Sequence, residues 1–181
     1  MIKRRENIFE TNSSSMHSIV VSSIDRGYDY NLTVTDDGTL YVNFGEFGWG
    51  PEILKYPIEK LSYYITDQFG GGCYDEDTNF DSMVRDILED PRMKNLIEIL
   101  KSNVPGFKKL ELGPAEYYRF GYVDHQSSGL TSGEDIADLI FNSSKIIVID
   151  NDNSYHFDDY YEADMYQKGG KPNKKEELWN M

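Results

Sequence analysis

The stretch Tyr30–Phe44, YNLTVT-DDG-TLYVNF, constrains the fold of this 181-residue chain more than any other. Two alternating runs, Tyr30–Thr35 and Thr39–Phe44, are joined through Asp36-Asp37-Gly38, and Gly38 supplies the positive φ that a tight reversal needs. The pattern predicts an early β-hairpin.

The elements around it follow from local signals. His17–Ile24, HSIVVSSI, has the β-branched density of a strand, and Ile8-Phe9 suits a shorter one. After the hairpin, GEFGWGPE alternates glycines with Phe47 and Trp49, which suits a turn pressing its rings onto a neighbour. Pro57 then opens a helix in which Ile58, Leu61, Tyr64 and Ile65 recur at helical spacing, and the run Gly70–Gly72 closes it. Asn79 or Asp81 caps the next helix. The apolar pattern there continues to Leu100, but Pro91 divides it into two short helices because its ring cannot sit inside a helix without breaking or kinking it.

Pro105-Gly106 stops the second of these, after which KKLELG and EYYRFGYVD read as strands. Ser132 with Asp135 three residues later resembles a capping box at the start of a helix over Glu134–Phe141, and SKIIVID, Ser144–Asp150, suits a central strand. Strands come in runs with helices set between them. The expected class is therefore α+β, a mainly antiparallel sheet with the early hairpin and three to four inserted helices. One domain is expected over residues 1–166, with a mobile tail over 167–181.

Charge narrows the function. With 32 acidic against 18 basic residues the formal charge is −14, which disfavours direct binding to a phosphate backbone and favours a basic partner. The densest basic groups, Lys3-Arg4-Arg5 and Lys168, Lys171, Lys174 and Lys175, lie near the chain ends. The single cysteine, Cys73, excludes an intramolecular disulfide and fits a reducing compartment. The opening MIKRRENIFE has no apolar run after it and no stretch approaches a membrane span, so the cytoplasm is the expected location.

Two stretches are candidate sites. Thr11–Ser18 gathers hydroxyls with His17, and Ser13 or Ser15 activated by His17, with His125 contributing, would make a nucleophilic site; Glu10 or Asp124 would orient the ring. The same hydroxyls and amides could hold an anion such as a nucleotide phosphate, or satisfy their own backbone in a turn before the strand. The three histidines, His17, His125 and His156, share no local metal-ligand spacing, and DNDNS fails as a calcium loop because Tyr155 and Tyr161 stand at the glycine and glutamate positions. No metal and no cofactor is expected.

The second stretch interleaves Asp150, Asp152, Asp158, Asp159, Glu162 and Asp164 with Tyr155, Phe157, Tyr160 and Tyr161, and holds no lysine or arginine. Carboxylates meet arginine in bidentate pairs and tyrosines add cation–π faces, so Asp150, Asp152, Tyr155, Asp158, Asp159, Tyr160, Tyr161, Glu162 and Asp164 are the expected partner-binding residues.

FETNSSSMHSIVV, Phe9–Val21, resembles the opening of many small proteins of phages and mobile elements. Some proteins of that type and size are anti-CRISPR inhibitors of the type II RNA-guided nuclease. The resemblance, confined to this stretch, implies a non-enzymatic inhibitor in the host cytoplasm that binds a basic nucleic-acid-binding protein, such as that nuclease, whose positively charged channels hold nucleic acid. The alternative is an enzyme or nucleotide binder built on Thr11–Ser18.

Overall fold

The computed structural model describes residues 15–21, 31–71, 79–124 and 129–151. In chain order the elements are β1 (Ser15–Val21), β2 (Thr39–Asn43), β3 (Glu46–Phe47), β4 (Glu52–Leu54), α1 (Pro57–Phe69), α2 (Phe80–Glu89), α3 (Pro91–Asn103), β5 (Lys109–Gly113), β6 (Tyr122–Val123), α4 (Ile136–Phe141) and β7 (Lys145–Asn151). The fold is α+β, and its largest sheet is antiparallel, in the order β1-β7-β4.

β7 is the central strand that its apolar run predicts. Ile147 pairs with Ile19 of β1 on one side and with Leu54 of β4 on the other, and Ile146, Ile147 and Ile149 are all buried. A strand covered on both faces needs this near-continuous apolar run. The remaining strands form two parallel pairs, β2 with β5 and β3 with β6, which the sequence reading did not anticipate. In β2, Leu40 and Val42 turn inward beside Leu110 and Leu112, whereas Tyr41 and Asn43 face out.

The reversal at Asp36-Asp37-Gly38 forms as expected. Gly38 has φ +86°, its N–H donates to Thr35 O at 2.8 Å, and Thr35 N–H donates to Thr39 O at 2.9 Å. The arm before the turn is held by that bond without forming a strand over residues 31–35; Leu32 and Val34 pack on the core instead. Of the second expected late strand, EYYRFGYVD, only Tyr122-Val123 is extended and paired.

Helix boundaries follow the capping chemistry. Glu59 reaches back so that its Oε2 accepts from Lys55 N and Tyr56 N at 2.9 and 3.0 Å, and Pro57 occupies the first turn of α1. Asn79 Oδ1 accepts from Ser82 N at the start of α2. Asp90 both ends α2 and caps α3, its carboxylate accepting from Arg92 N at 2.8 Å, so Pro91 sits where its missing N–H costs nothing. The last helix starts later than expected. Gly133, at φ +81°, lies outside helical geometry, and Asp135 rather than Ser132 is the cap, accepting from Asp138 N at 3.0 Å.

The core lies around α1, which contacts α4, β2 and β6. Because neighbours surround it, burial spreads beyond the expected stripe: Lys60, Leu61, Tyr63, Tyr64, Ile65 and Thr66 are all buried, and Ile58 is exposed. Met93, Leu96 and Leu100 of α3 add a stripe at intervals of three and four residues, and among the described residues the buried apolar side chains other than Ile146 form one cluster.

Candidate functional site

β1 delivers His17 into the interior, where it is 8% exposed. Its Nδ1 and the hydroxyl of Tyr63, on α1, share a 2.7 Å hydrogen bond, and Tyr63 in turn packs on Phe47 with ring centroids 4.9 Å apart. Strand register brings Glu52 close to this pair. His17 and Glu52 both stand opposite Ile149, one on either side of β7, so they share a row on the same face of the sheet.

Burial, opposed by the carboxylates of Asp124 and Asp67, lowers the pKa of His17 to about 4. Burial together with Glu59 raises that of Glu52 to about 7. Burial, Asp67 and Glu52 also push the Tyr63 phenol far above its ordinary range. At neutral pH the His17–Tyr63 pair is therefore uncharged.

These two shifts act in opposite senses on stability. His17 binds its proton less readily folded than unfolded, so its contribution is complete above its ordinary 6.5 and is lost as pH falls toward 4. Glu52 binds its proton more readily folded, so its contribution is complete below its ordinary 4.5 and is lost as pH rises through 7. Between pH 4.5 and 6.5 the two slopes offset each other. Relative to the parent, Glu52→Gln should make the thermal midpoint rise more steeply from pH 4.5 to 6.5, and His17→Gln should make it fall over the same interval. Superimposable pH profiles for the parent and both variants would contradict the assignment.

Of the expected nucleophilic group, the structure places His17 beside Tyr63 and places Ser15 on β1, where its backbone pairs with Asn151. Ser13 and His125 lie outside the described residues. So do all the expected partner-binding residues except Asp150, which stands in β7 opposite Met16. Register at this point has one further result: the serine-rich opening and the acidic, tyrosine-bearing stretch continue from strand ends paired at Ser15 and Asn151.

A second site was not singled out from sequence. The stretch from the end of β2 through β3 to Trp49 and the segment after β5 border a hollow of about 730 Å³, lined by Glu46, Trp49, Ala115, Glu116, Tyr117 and Tyr118 among others. Phe47 presses inward as its glycine-rich surroundings suggest, but Trp49 is 67% exposed, its ring tilted toward that of Tyr122 with centroids 6.2 Å apart. Tyr117 and Tyr118 are 78% and 56% exposed.

Glu46 organises this wall. Its Oε1 accepts from Tyr117 N at 2.7 Å and from Tyr118 N at 2.5 Å, so one carboxylate oxygen fixes the backbone that carries both rings. Glu116 and, more weakly, Glu46 raise the pKa of the Tyr117 phenol, and Glu116 is also its hydrogen-bond partner. The sequence signal was present in the Gly-Trp-Gly run and the adjacent Tyr117-Tyr118, a pair of large rings that no regular strand can turn to the same face.

Among the described residues no group of histidine, cysteine and carboxylate side chains suits a metal, and no helix is long and apolar enough to cross a membrane. No protein-family model matches this chain, and no curated protein or solved structure matches it either.

Proposed function

We propose that this chain is an acidic, phage-type interaction protein that inhibits a basic nucleic-acid-binding protein in the host cytoplasm, a CRISPR effector nuclease on the resemblance of its opening, by presenting carboxylates and tyrosines in place of nucleic acid. The observation that supports the reading most is the disposition of charge. Many of the described basic side chains are tied to neighbouring carboxylates: Arg92 to Asp90 at 2.9 Å, Lys94 to Glu89 at 2.6 Å, Lys101 to Glu98 at 2.7 Å, Lys109 to Glu111 at 2.7 Å, and Lys145 to Asp138 at 2.7 Å. Lys60 is buried. Each pair takes up one carboxylate along with its cation, so the excess of 32 acidic over 18 basic groups is untouched by them, and such a surface steers toward basic partners and away from nucleic acid.

The test is retention of a guide-loaded type II nuclease by the immobilised chain. Retention should weaken steeply as salt is raised, as for charge-driven association. Changing Asp150, Asp152, Asp158, Asp159, Glu162 and Asp164 to their amides should weaken it by roughly tenfold or more, the scale expected when several interfacial charges are removed. No retention, or full retention by the amide variant, would end this reading.

One observation favours the alternative, proton-transfer chemistry or anion binding near His17: Glu52, with a pKa near 7, shares a row with the His17–Tyr63 pair. Anion binding there would appear as a rise in thermal midpoint with phosphate or a nucleotide that His17→Gln abolishes.

A further inference from the structure

We propose that the hollow between Trp49 and Tyr117-Tyr118 is a docking site for an arginine side chain carried on an extended, basic segment of a partner protein. Three features of the hollow select that chemistry. First, it is walled by exposed rings, those of Trp49, Tyr117 and Tyr118, and a planar cation stacks on the face of such a ring while giving up little hydration. Second, its charged lining is acidic. Glu46 and Glu116 both line it, no lysine or arginine does, and the rise in the Tyr117 pKa reports the negative field that the two carboxylates set up there.

Third, Glu46 is half committed. Oε1 serves the amides of Tyr117 and Tyr118, whereas Oε2 has no hydrogen-bond partner among the described residues. A carboxylate held by two backbone amides is pre-oriented, so its second oxygen meets an incoming N–H donor without first losing side-chain freedom. Arginine fits better than lysine because its guanidinium can lie flat on a ring and still direct N–H groups in its plane toward a carboxylate, which a compact ammonium cannot do.

The inference rests on the proposed function only for the sign of the partner's charge; the site itself is carried by the hollow. Behind the rings the wall is firm. Thr66, buried on α1, donates to Ser62 O at 2.8 Å and accepts from Gly45 N at 2.9 Å, and this fixes the backbone just before Glu46.

The experiment titrates the full chain, labelled with ¹⁵N, with three short peptides that are identical except for a central arginine, lysine or citrulline. The arginine peptide should shift the Trp49 indole N–H and the Tyr117 and Tyr118 amides in a saturable way. It should bind about fivefold more tightly than the lysine peptide and about tenfold more tightly than the uncharged citrulline peptide. Trp49→Ala and Glu46→Gln should each weaken the arginine peptide by about fivefold or more; glutamine keeps an acceptor for both amides, so its effect reads the charge rather than the fold. Equal affinity for all three peptides, shifts spread over the surface, or no shift at the three reporters would overturn the proposal. If the nuclease is retained undiminished by Trp49→Ala and the peptide fails, the docking site falls and the proposed function stands; if the peptide binds and no nuclease is retained, the reverse holds.

Discussion

Lys60→Ala is expected to lower the stability of the fold by about 3–4 kcal/mol, a drop of roughly 6–15 °C in thermal midpoint for a chain of this size. Lys60 is fully buried on α1, and its Nζ donates to Asn142 O at 2.9 Å and to Lys145 O at 3.1 Å. Asn142 is the residue that ends α4, and Lys145 is the first of β7. Terminal carbonyls of a helix have no partner within it, and a cation there is also favoured by the alignment of the peptide dipoles. One ammonium therefore satisfies the connection between the last helix and the central strand.

Alanine removes both the donor and the aliphatic stem, leaving a void and taking the ammonium from both carbonyls, of which Asn142 O keeps only Lys145 N at 3.1 Å. Lys60→Met restores the stem alone and should recover about half of the loss. Burial lowers the Lys60 pKa to about 8, with Asp138 opposing the shift and Lys145 adding to it. The folded lysine thus sheds its proton more readily than the unfolded one, so the stability of the parent relative to the methionine variant should rise between pH 8 and 10.5. Urea denaturation of the three proteins at pH 7 and pH 10 measures both effects. A methionine variant as stable as the parent at both pH values would remove the anchoring role.

Gly121→Ala is expected to cost about 2–4 kcal/mol and to loosen the hollow, because two penalties fall on one residue. Gly121 has φ +66°, where a side chain is strained, and a β-carbon there would meet Gly45 O, Thr66 Cγ2 at 2.8 Å and Phe44 Cβ at 2.9 Å. The carbonyl of Gly45 accepts from Tyr122 N at 2.8 Å, so displacing it breaks the entry to the β3–β6 pair. Relief of the clash pushes apart α1, the β2–β3 connection and β6. Denaturation midpoints should fall and exchange of the Tyr122 amide should quicken. Unchanged exchange at Tyr122 would show that the strain is absorbed elsewhere.

The features legible in the sequence are those whose cause is local. Pro91 divided its helical run, Asn79 capped α2, Gly38 turned the chain, and the apolar run of β7 marked the sheet centre, each because a few neighbouring atoms decide the outcome. Pairing over distance was not legible. Nothing in TLYVN announces a parallel neighbour almost seventy residues later in KLELG, and nothing beside His17 names Tyr63 as its partner. Nor was the anchoring by Lys60 legible, since its carbonyl partners lie beyond three intervening helices in the chain. Ser132, the expected cap, gave way to Asp135 because Gly133 takes a positive φ, which the letters permit without requiring.

The order of assembly follows from the place of β7. β1 and β4 each bond to β7 and not to one another, and β7 is the last strand in the described chain. During synthesis the outer two strands must therefore wait, with their backbone groups unpaired, until about 150 residues have emerged, and only then can the third enter between them. A ribosome-bound intermediate shortened before Lys145 should keep its helices and leave two open sheet margins, which makes the nascent protein a natural client for chaperones that shield unpaired strands.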